Sequence, residues 1–343
     1  MKFGRRARED LFQNNSFWLP IGALTSAKLK VVTSTGLTPL PIVLGPTGSG
    51  KSELAIHIAL GIGGEIVNCD SLQVYRRFDI GTAKVPDAAR RGVPHHLIDI
   101  IEPGQLFTAG DYAQLARAAL GEIAARGRVP IVVGGTGFYL RALLAGLSEG
   151  PVRNPALRDR LERRERKRPL SLHRILSRLD PTAAARMHAN DTKKIIRALE
   201  VRLLEGRPIS ELFSRGRDPL TGFHPIKIGL NPPRALLNQR LDTRTVCIFE
   251  AGLVEEVRAL LLSGLPRDAK PFESLGYKQA LQVLEGRLTS DQAIESTQLE
   301  TRRYAKRQAT WFRTEPDVRW LEGFGDNPDV QAQALAIARE TEF

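Results

Sequence analysis

The chain has 343 residues, 42% hydrophobic and 26% charged, which is enough for a sizeable core and leaves room for two domains or one domain with an insertion. It contains no run of 18 apolar residues, which argues against a membrane-spanning helix, and its two cysteines, Cys69 and Cys247, exclude a disulfide framework and fit a reducing cytoplasm. The formal charge of +12 is concentrated in residues 151–217, where 18 Lys and Arg face 8 Asp and Glu, and such a local excess predicts a surface for a polyanion, above all nucleic acid.

Residues 1–36 show no sustained hydrophobic period and are expected to form a poorly ordered tail. Arg5, Arg6 and Arg8 give it a faint look of a transit peptide, but Glu9, Asp10 and the missing amphipathic pattern argue against one. The apolar run Pro41 Ile42 Val43 Leu44 predicts a strand and residues 53–60 a helix. Between them stand Gly45, Pro46, Thr47, Gly48, Ser49, Gly50, Lys51 and Ser52. A glycine-rich turn from strand to helix aims several backbone N–H groups and the positive end of a helix at one spot, which makes a cradle for phosphate. Lys51 adds a movable charge, and the hydroxyl of Ser52 is the usual ligand for a magnesium ion bridging phosphate oxygens. The loop alone does not say whether its phosphates belong to a nucleotide.

A second strand over residues 64–69 delivers Asp70 to the carboxyl edge of the sheet, where open α/β folds bind ligands. Asp70 there suits a magnesium ligand, a general base or a turn cap with Ser71. Lys84 lies in a polar loop where a phosphate could use it, and His95 with His96 reads as packing and loop hydrogen bonds rather than a metal site. Leu97 Ile98 Asp99 Ile100 reads as a strand. Residues 108–126 predict a helix capped by Thr108 with Asp111. The buried strand Val129 to Val133 then ends in Gly134 Gly135 Thr136 Gly137, where an ATPase would usually carry an acidic residue. Both cysteines read as core residues.

From residue 151 to 217 the pattern turns helical and basic, with helices over 157–167, 170–179, 181–187 and 191–204. A strand over 226–230 and helices over 233–249, 253–263, 274–284 and 290–313 follow. The predicted fold is α/β, a parallel sheet core with a helical insertion. The expected layout is a tail at 1–36, a core made of 37–147 and 218–322, an insertion at 148–217, and a C-terminal segment at 323–343.

The stretches GPTGSGKS, NCDSLQVYRRFDIGTAK, VPHHLIDI, VVGGTGFYLRALL, LHRILSRLDPTAAARMHANDTKKIIRALEV, SLGYKQAL and TRRYAKRQATWFR, in this order, resemble the tRNA dimethylallyltransferase family over about residues 40–321. The resemblance implies a P-loop NTPase-like core whose basic insertion grips tRNA. It also implies transfer of a dimethylallyl group from dimethylallyl diphosphate to the exocyclic amine of the adenosine just 3′ of the anticodon, with magnesium, by a cytoplasmic monomer. By the same resemblance, Asp70 is the base, Thr136 stands beside the transferring group, Lys51 and Arg244 meet the diphosphate, and residues 45–52 bind it with magnesium on Ser52. Contacts to the tRNA anticodon stem-loop fall on Asp70, Ser71, Leu72, Gln73 and Thr136, and in the insertion on Arg158, Lys193, Lys194, Ile195, Ile196 and Arg197. A last group falls on Glu273, Ser274, Leu275, Gly276, Tyr277 and Lys278.

Two positions depart from the family pattern. Val246 stands where an acidic residue is common two places after the arginine, and Ala189 where a proline is common. No C-terminal Cys/His zinc finger is present, which places the bacterial form closer. Two other classes compete: a P-loop ATPase or kinase, disfavoured by the glycine-ended strand, and a non-enzymatic RNA-binding protein, disfavoured by the Lys51 and Asp70 pair. The related adenylate isopentenyltransferases act on free nucleotide, and the basic insertion favours RNA over that.

Overall fold

The apolar runs of the sequence meet in a parallel sheet. In this computed structural model residues 36–148, 150–214 and 217–340 are described, so the expected tail lies outside them apart from Gly36. The described residues form one six-stranded sheet of order β3-β2-β4-β1-β5-β6, with β1 Thr38–Leu44, β2 Gly64–Asn68, β3 His95–His96, β4 Val129–Val133, β5 Phe223–Leu230 and β6 Val318–Leu321. All pairings are parallel, and β1 lies between β4 and β5 with Val43 opposite Val133 and Ile228.

A parallel sheet covered on both faces needs strands that are apolar throughout, and β4 is buried at every position. Side chains alternate across β1. Leu40, Ile42 and Leu44 pack with Tyr112, Leu120 and Leu140 from helices α2 (Ala109–Ala125) and α3 (Gly137–Ala145). Val43 packs on the other face with Leu54 and Ile58 from helix α1 (Lys51–Ile62) and with Val330 and Ala334 from the last helix (Pro328–Arg339). Helix α2 starts with the expected capping box, Thr108 accepting from Asp111 N–H and the Asp111 carboxylate accepting from Thr108 N–H.

The insertion comprises α4 (Pro155–Lys167), α5 (Ser171–Leu179), α6 (Pro181–Ala185), α7 (Thr192–Glu205) and α8 (Ile209–Ser214). These helices share a core of their own, with Leu157, Leu161, Leu172, Leu176, Ile195, Leu199 and Leu212. Asn154, Asp180 and Asp191 cap three of them by accepting backbone N–H bonds. After β5 come α9 (Arg234–Glu250), α10 (Leu253–Leu262), α11 (Tyr277–Leu284) and α12 (Ser290–Phe312), then β6 and α13 (Pro328–Arg339). Among the described residues no helix is long and apolar enough to cross a membrane.

Several expectations need correction. The strand expected at 97–100 is instead His95–His96, because Leu97 (φ 62°) and Asp99 (φ 55°) adopt left-handed backbone that ends the extended run. The helix expected from 274 starts at Tyr277, after Gly276 at φ 84°, and the helix expected from 170 starts at Ser171, after Leu170 at φ 62°. The helix expected over 181–187 stops at Ala185. Lys84 is withdrawn from any ligand: it is almost fully buried and bonds Asp79, Asp99 and the Tyr75 carbonyl. Cys69 is buried as expected, but Cys247 is exposed on α9.

Candidate active site

The phosphate loop runs from the end of β1 into α1 through Gly48 (φ 77°) and Gly50 (φ 87°), backbone conformations that favour glycine. A Cβ at Gly50 would also stand 2.8 Å from the Gly325 nitrogen, so the segment after β6 packs directly on the loop. Gly325 N–H donates to the Ser49 carbonyl at 2.8 Å, and both terminal nitrogens of Arg240 reach the Asp326 carboxylate at 2.9 Å. Lys51 Nζ folds back to donate to the Pro46 carbonyl at 2.7 Å. Burial lowers its pKa to about 8; Asp70 acts against this shift and Arg244 adds to it.

At the end of β2, Asp70 Oδ1 accepts from Leu72 N–H at 2.9 Å, so the carboxylate caps its own turn while facing the site. Thr136 closes the neighbouring strand end, its Oγ1 accepting from Ser71 N–H at 3.1 Å. The glycines between have steric reasons: a Cβ at Gly134 would lie 2.1 Å from the Cys69 carbonyl oxygen, and one at Gly135 would lie 2.3 Å from Gln308 Nε2. Gln308 itself joins two edges of the site. Its Oε1 accepts from Thr47 N–H at 2.8 Å and its Nε2 donates to the Gly135 carbonyl at 2.8 Å.

A cavity of about 400 Å³ opens among these elements, walled by Thr47, Asp70, Ser71 and Leu72, by Arg244 of α9, by residues 273–276, and by Thr297, Thr301 and Tyr304 of α12. Arg244 is held below its usual pKa by burial, with Asp70 opposing and Arg240 adding to the shift. Burial and the Asp70 charge raise the Tyr304 phenol. Asp70 is thus within electrostatic reach of Lys51, Arg244 and Tyr304. A carboxylate that can take a proton therefore stands beside two cations that can receive an anionic leaving group.

The expected site residues divide. Thr47, Asp70, Ser71, Leu72, Arg244, Glu273, Ser274, Leu275 and Gly276 share the cavity wall, and Thr136 supports it through Ser71. Gln73 turns aside to the Thr82 carbonyl, and Lys278 is exposed. Tyr277 is fully buried, its hydroxyl donating to Glu256 and accepting from Gly81 N–H. In the insertion Ile195 and Ile196 lie in the helical core, which takes their side chains away from any RNA. Arg158 and Arg197 both bind Glu200, which is fully buried, at 3.0 and 2.8 Å. Burial works against that carboxylate's charge, but hydrogen bonds from the two arginines and from Asn154 N–H together outweigh it and hold its pKa below the usual range. Lys194 pairs with Asp191, whereas Lys193 is exposed and without an ion pair among the described residues.

Sequence reasoning missed the contribution of α12. Thr297, Thr301, Tyr304 and Gln308 recur at helical spacing, and that polar stripe, running from Thr297 into the stretch TRRYAKRQATWFR, was the available signal.

Comparison with known proteins places the chain in a family. The model of the family described as IPP transferase matches residues 73–315. The tRNA dimethylallyltransferase of Solibacter usitatus is 61% identical over 297 residues, covering 87% of this chain and 97% of that protein. The tRNA dimethylallyltransferase of Koribacter versatilis is 54% identical over 299 residues, with the same coverage. Among solved structures, the full-length tRNA isopentenylpyrophosphate transferase of Bacillus halodurans superposes with TM-score 0.65 at 35% identity, covering 88% of this chain and 97% of that one. A eukaryotic dimethylallyltransferase acting on tRNA gives TM-score 0.75 at 30% identity, covering 89% and 79%. A parallel core with a phosphate loop, a basic helical insertion and matches over most of the length lead to one assignment: the chain belongs to the tRNA dimethylallyltransferase family of IPP transferases.

Proposed function

We propose that the protein transfers a dimethylallyl group from dimethylallyl diphosphate to the exocyclic amine of the adenosine 3′-adjacent to the anticodon of tRNA, forming N6-dimethylallyladenosine. The observation that carries this reading is the placement of Asp70 in one cavity with Arg244, within electrostatic reach of Lys51, beside a strand that ends in Gly134 and Gly135 rather than in an acid. An adenine amine is a weak nucleophile because its lone pair is delocalised into the ring, so removal of its proton must accompany bond formation. Asp70 accepts that proton as nitrogen bonds to the allylic carbon. The carbon–oxygen bond breaks and its electron pair leaves with the diphosphate, which the loop N–H groups, Lys51 and Arg244 stabilise. The target base must leave its stack to reach Asp70.

The residues fit a magnesium ion shared with the donor. Ser52 is half-buried at the start of α1 with its hydroxyl unpartnered among the described residues, and no cluster of three His, Cys, Asp or Glu side chains there forms a cage. Such an ion takes most of its oxygens from diphosphate and water. Held by Ser52, it would add positive charge against the leaving group. The insertion at 148–217 is the grip on the anticodon stem, and the enzyme acts as a cytoplasmic monomer. The test is incubation of purified protein with labelled dimethylallyl diphosphate and unmodified tRNA, with AMP in parallel. Label in tRNA adenosine supports the reading, whereas label in AMP alone contradicts it.

A further inference from the structure

Glu256 stands half-buried in the first turn of α10, a helix from which none of the cavity-wall residues comes. Its Oε2 accepts from the backbone N–H of Asp79 at 3.2 Å and of Ile80 at 2.9 Å, and its Oε1 accepts from the Tyr277 hydroxyl. That hydroxyl in turn accepts from Gly81 N–H at 3.1 Å. Three successive N–H groups of one loop are therefore held by one carboxylate and one phenol. Among the described residues Glu256 has no cationic partner, so within the protein its charge is met by these donors.

The loop needs an outside hold. Arg77 (φ 63°) and Ala83 (φ 47°) at its two ends adopt left-handed backbone, which non-glycine residues keep only where their surroundings over-determine it. Tyr277 supplies shape as well as a hydrogen bond: it is fully buried, its ring centre lies 4.6 Å from that of Phe78, and a Cβ at Gly81 would stand 2.3 Å from its Cε2. Gly81 and Thr82 wall the active-site cavity, and so do residues 273–276, which lead into Tyr277 and α11. Gln73 Nε2 donates to the Thr82 carbonyl at 3.1 Å, one residue after Leu72, whose N–H donates to Asp70. The Glu256 and Tyr277 pair thus backs two walls of the cavity and is connected through Gln73 to the turn that carries Asp70. These walls contain no cation, unlike the side with Arg244, which suits them to an uncharged base rather than to a diphosphate.

We propose that, on the transfer reading above, Glu256 is a positioning residue: paired with Tyr277, it sets the loop at 79–82 and the start of α11 at the spacing in which the acceptor amine meets Asp70. The test is single-turnover transfer from labelled dimethylallyl diphosphate to unmodified tRNA, both saturating, in the parent, E256Q, Y277F and the double variant, each below its thermal transition. Each single variant should be about 10- to 100-fold slower, since ~1 Å of misplacement can cost a factor of ~100, while the donor Kd from calorimetry stays parental. The double variant should be no slower than the slower single one, because the two groups act as one unit. E256Q removes a negative charge and by itself favours RNA binding, whereas Y277F changes no charge, so a loss shared by both reports placement. Y277F also removes a single oxygen and keeps the ring against Phe78, which carries the test if E256Q does not fold. Parental rates in the folded variants overturn the proposal alone, as do losses that multiply in the double variant or a raised donor Kd with a parental rate. A parent that transfers no prenyl group removes the transfer reading and this proposal together.

Discussion

Gln308 holds the phosphate loop to the glycine-ended strand, and replacing it with leucine keeps most of its volume while removing both hydrogen bonds. The loss leaves Thr47 N–H and the Gly135 carbonyl without their partner on a residue that is 6% exposed. With each bond contributing about 1 kcal/mol net, the variant should lose about 2 kcal/mol of stability. At ~2–4 °C per kcal/mol for a chain of this size class, Tm should fall by about 4–8 °C. On the proposed reading the loop and Thr136 flank the transferring group, so activity should fall further than stability, since a misplacement of ~1 Å can cost a factor of ~100. Steady-state kinetics should show kcat reduced by about 10- to 100-fold, with the tRNA Kd within about twofold of the parent. Gln308→Glu gives a second readout. Its carboxylate can accept from Thr47 N–H but opposes the Gly135 carbonyl until it is protonated, so its kcat should recover as pH falls, unlike that of the leucine variant. A leucine variant with parental kcat and donor KM would refute the coupling.

Lys51 is charged below its lowered pKa of about 8 and loses that charge as pH rises through it, so the affinity for dimethylallyl diphosphate should fall above about pH 8. Calorimetry from pH 7 to 9.5 should show the fall, Lys51→Arg should flatten it, and Lys51→Ala should lower transfer at least about tenfold, since a charge-assisted contact is worth ~1.5–3 kcal/mol; a flat profile in the parent would remove the lysine from the diphosphate. Arg158→Ala leaves the fully buried Glu200 with Arg197 as its one charged partner and should destabilise the insertion by about 3 kcal/mol, seen as faster hydrogen exchange in α4 and α7. The same Glu200 contribution should be present above its ordinary pKa of 4.5 and fade as pH falls through its lower folded value. Parental exchange rates in the Arg158 variant would show that the pair stabilises nothing.

What was legible in the sequence was what neighbouring residues decide. The loop from Gly45 to Ser52, the delivery of Asp70 by a short apolar strand, the capping box at Thr108 and Asp111, and the helical periodicity of the insertion all follow from local spacing, and the structure shows each. What was not legible depends on partners far along the chain. Gln308 lies 261 residues from Thr47, so its helical spacing puts it on the polar stripe of α12 but does not name the loop it joins. The run Val318–Leu321 is too short to declare itself a strand until β5 supplies its hydrogen bonds, and the Gly325 and Asp326 brace exists only because β6 returns the chain to the phosphate loop. The family resemblance gives Arg158 and Arg197 as RNA contacts, and what the sequence does not show is that both also bind the buried Glu200. Lys84 misleads for the same reason: Asp79 and Asp99 enclose it only after the loops fold together.

The central claim is that Asp70 removes the proton from an RNA amine while the phosphate loop receives the departing diphosphate. Single-turnover transfer of labelled dimethylallyl groups to unmodified tRNA, in the parent and in Asp70→Asn, tests it most directly. The parent should label tRNA adenosine, and the variant should be slower by roughly 10² to 10⁴ with its tRNA affinity nearly unchanged. Parental rates in Asp70→Asn, or RNA-stimulated ATP hydrolysis by a parent that leaves the prenyl donor and tRNA unreacted, would contradict it.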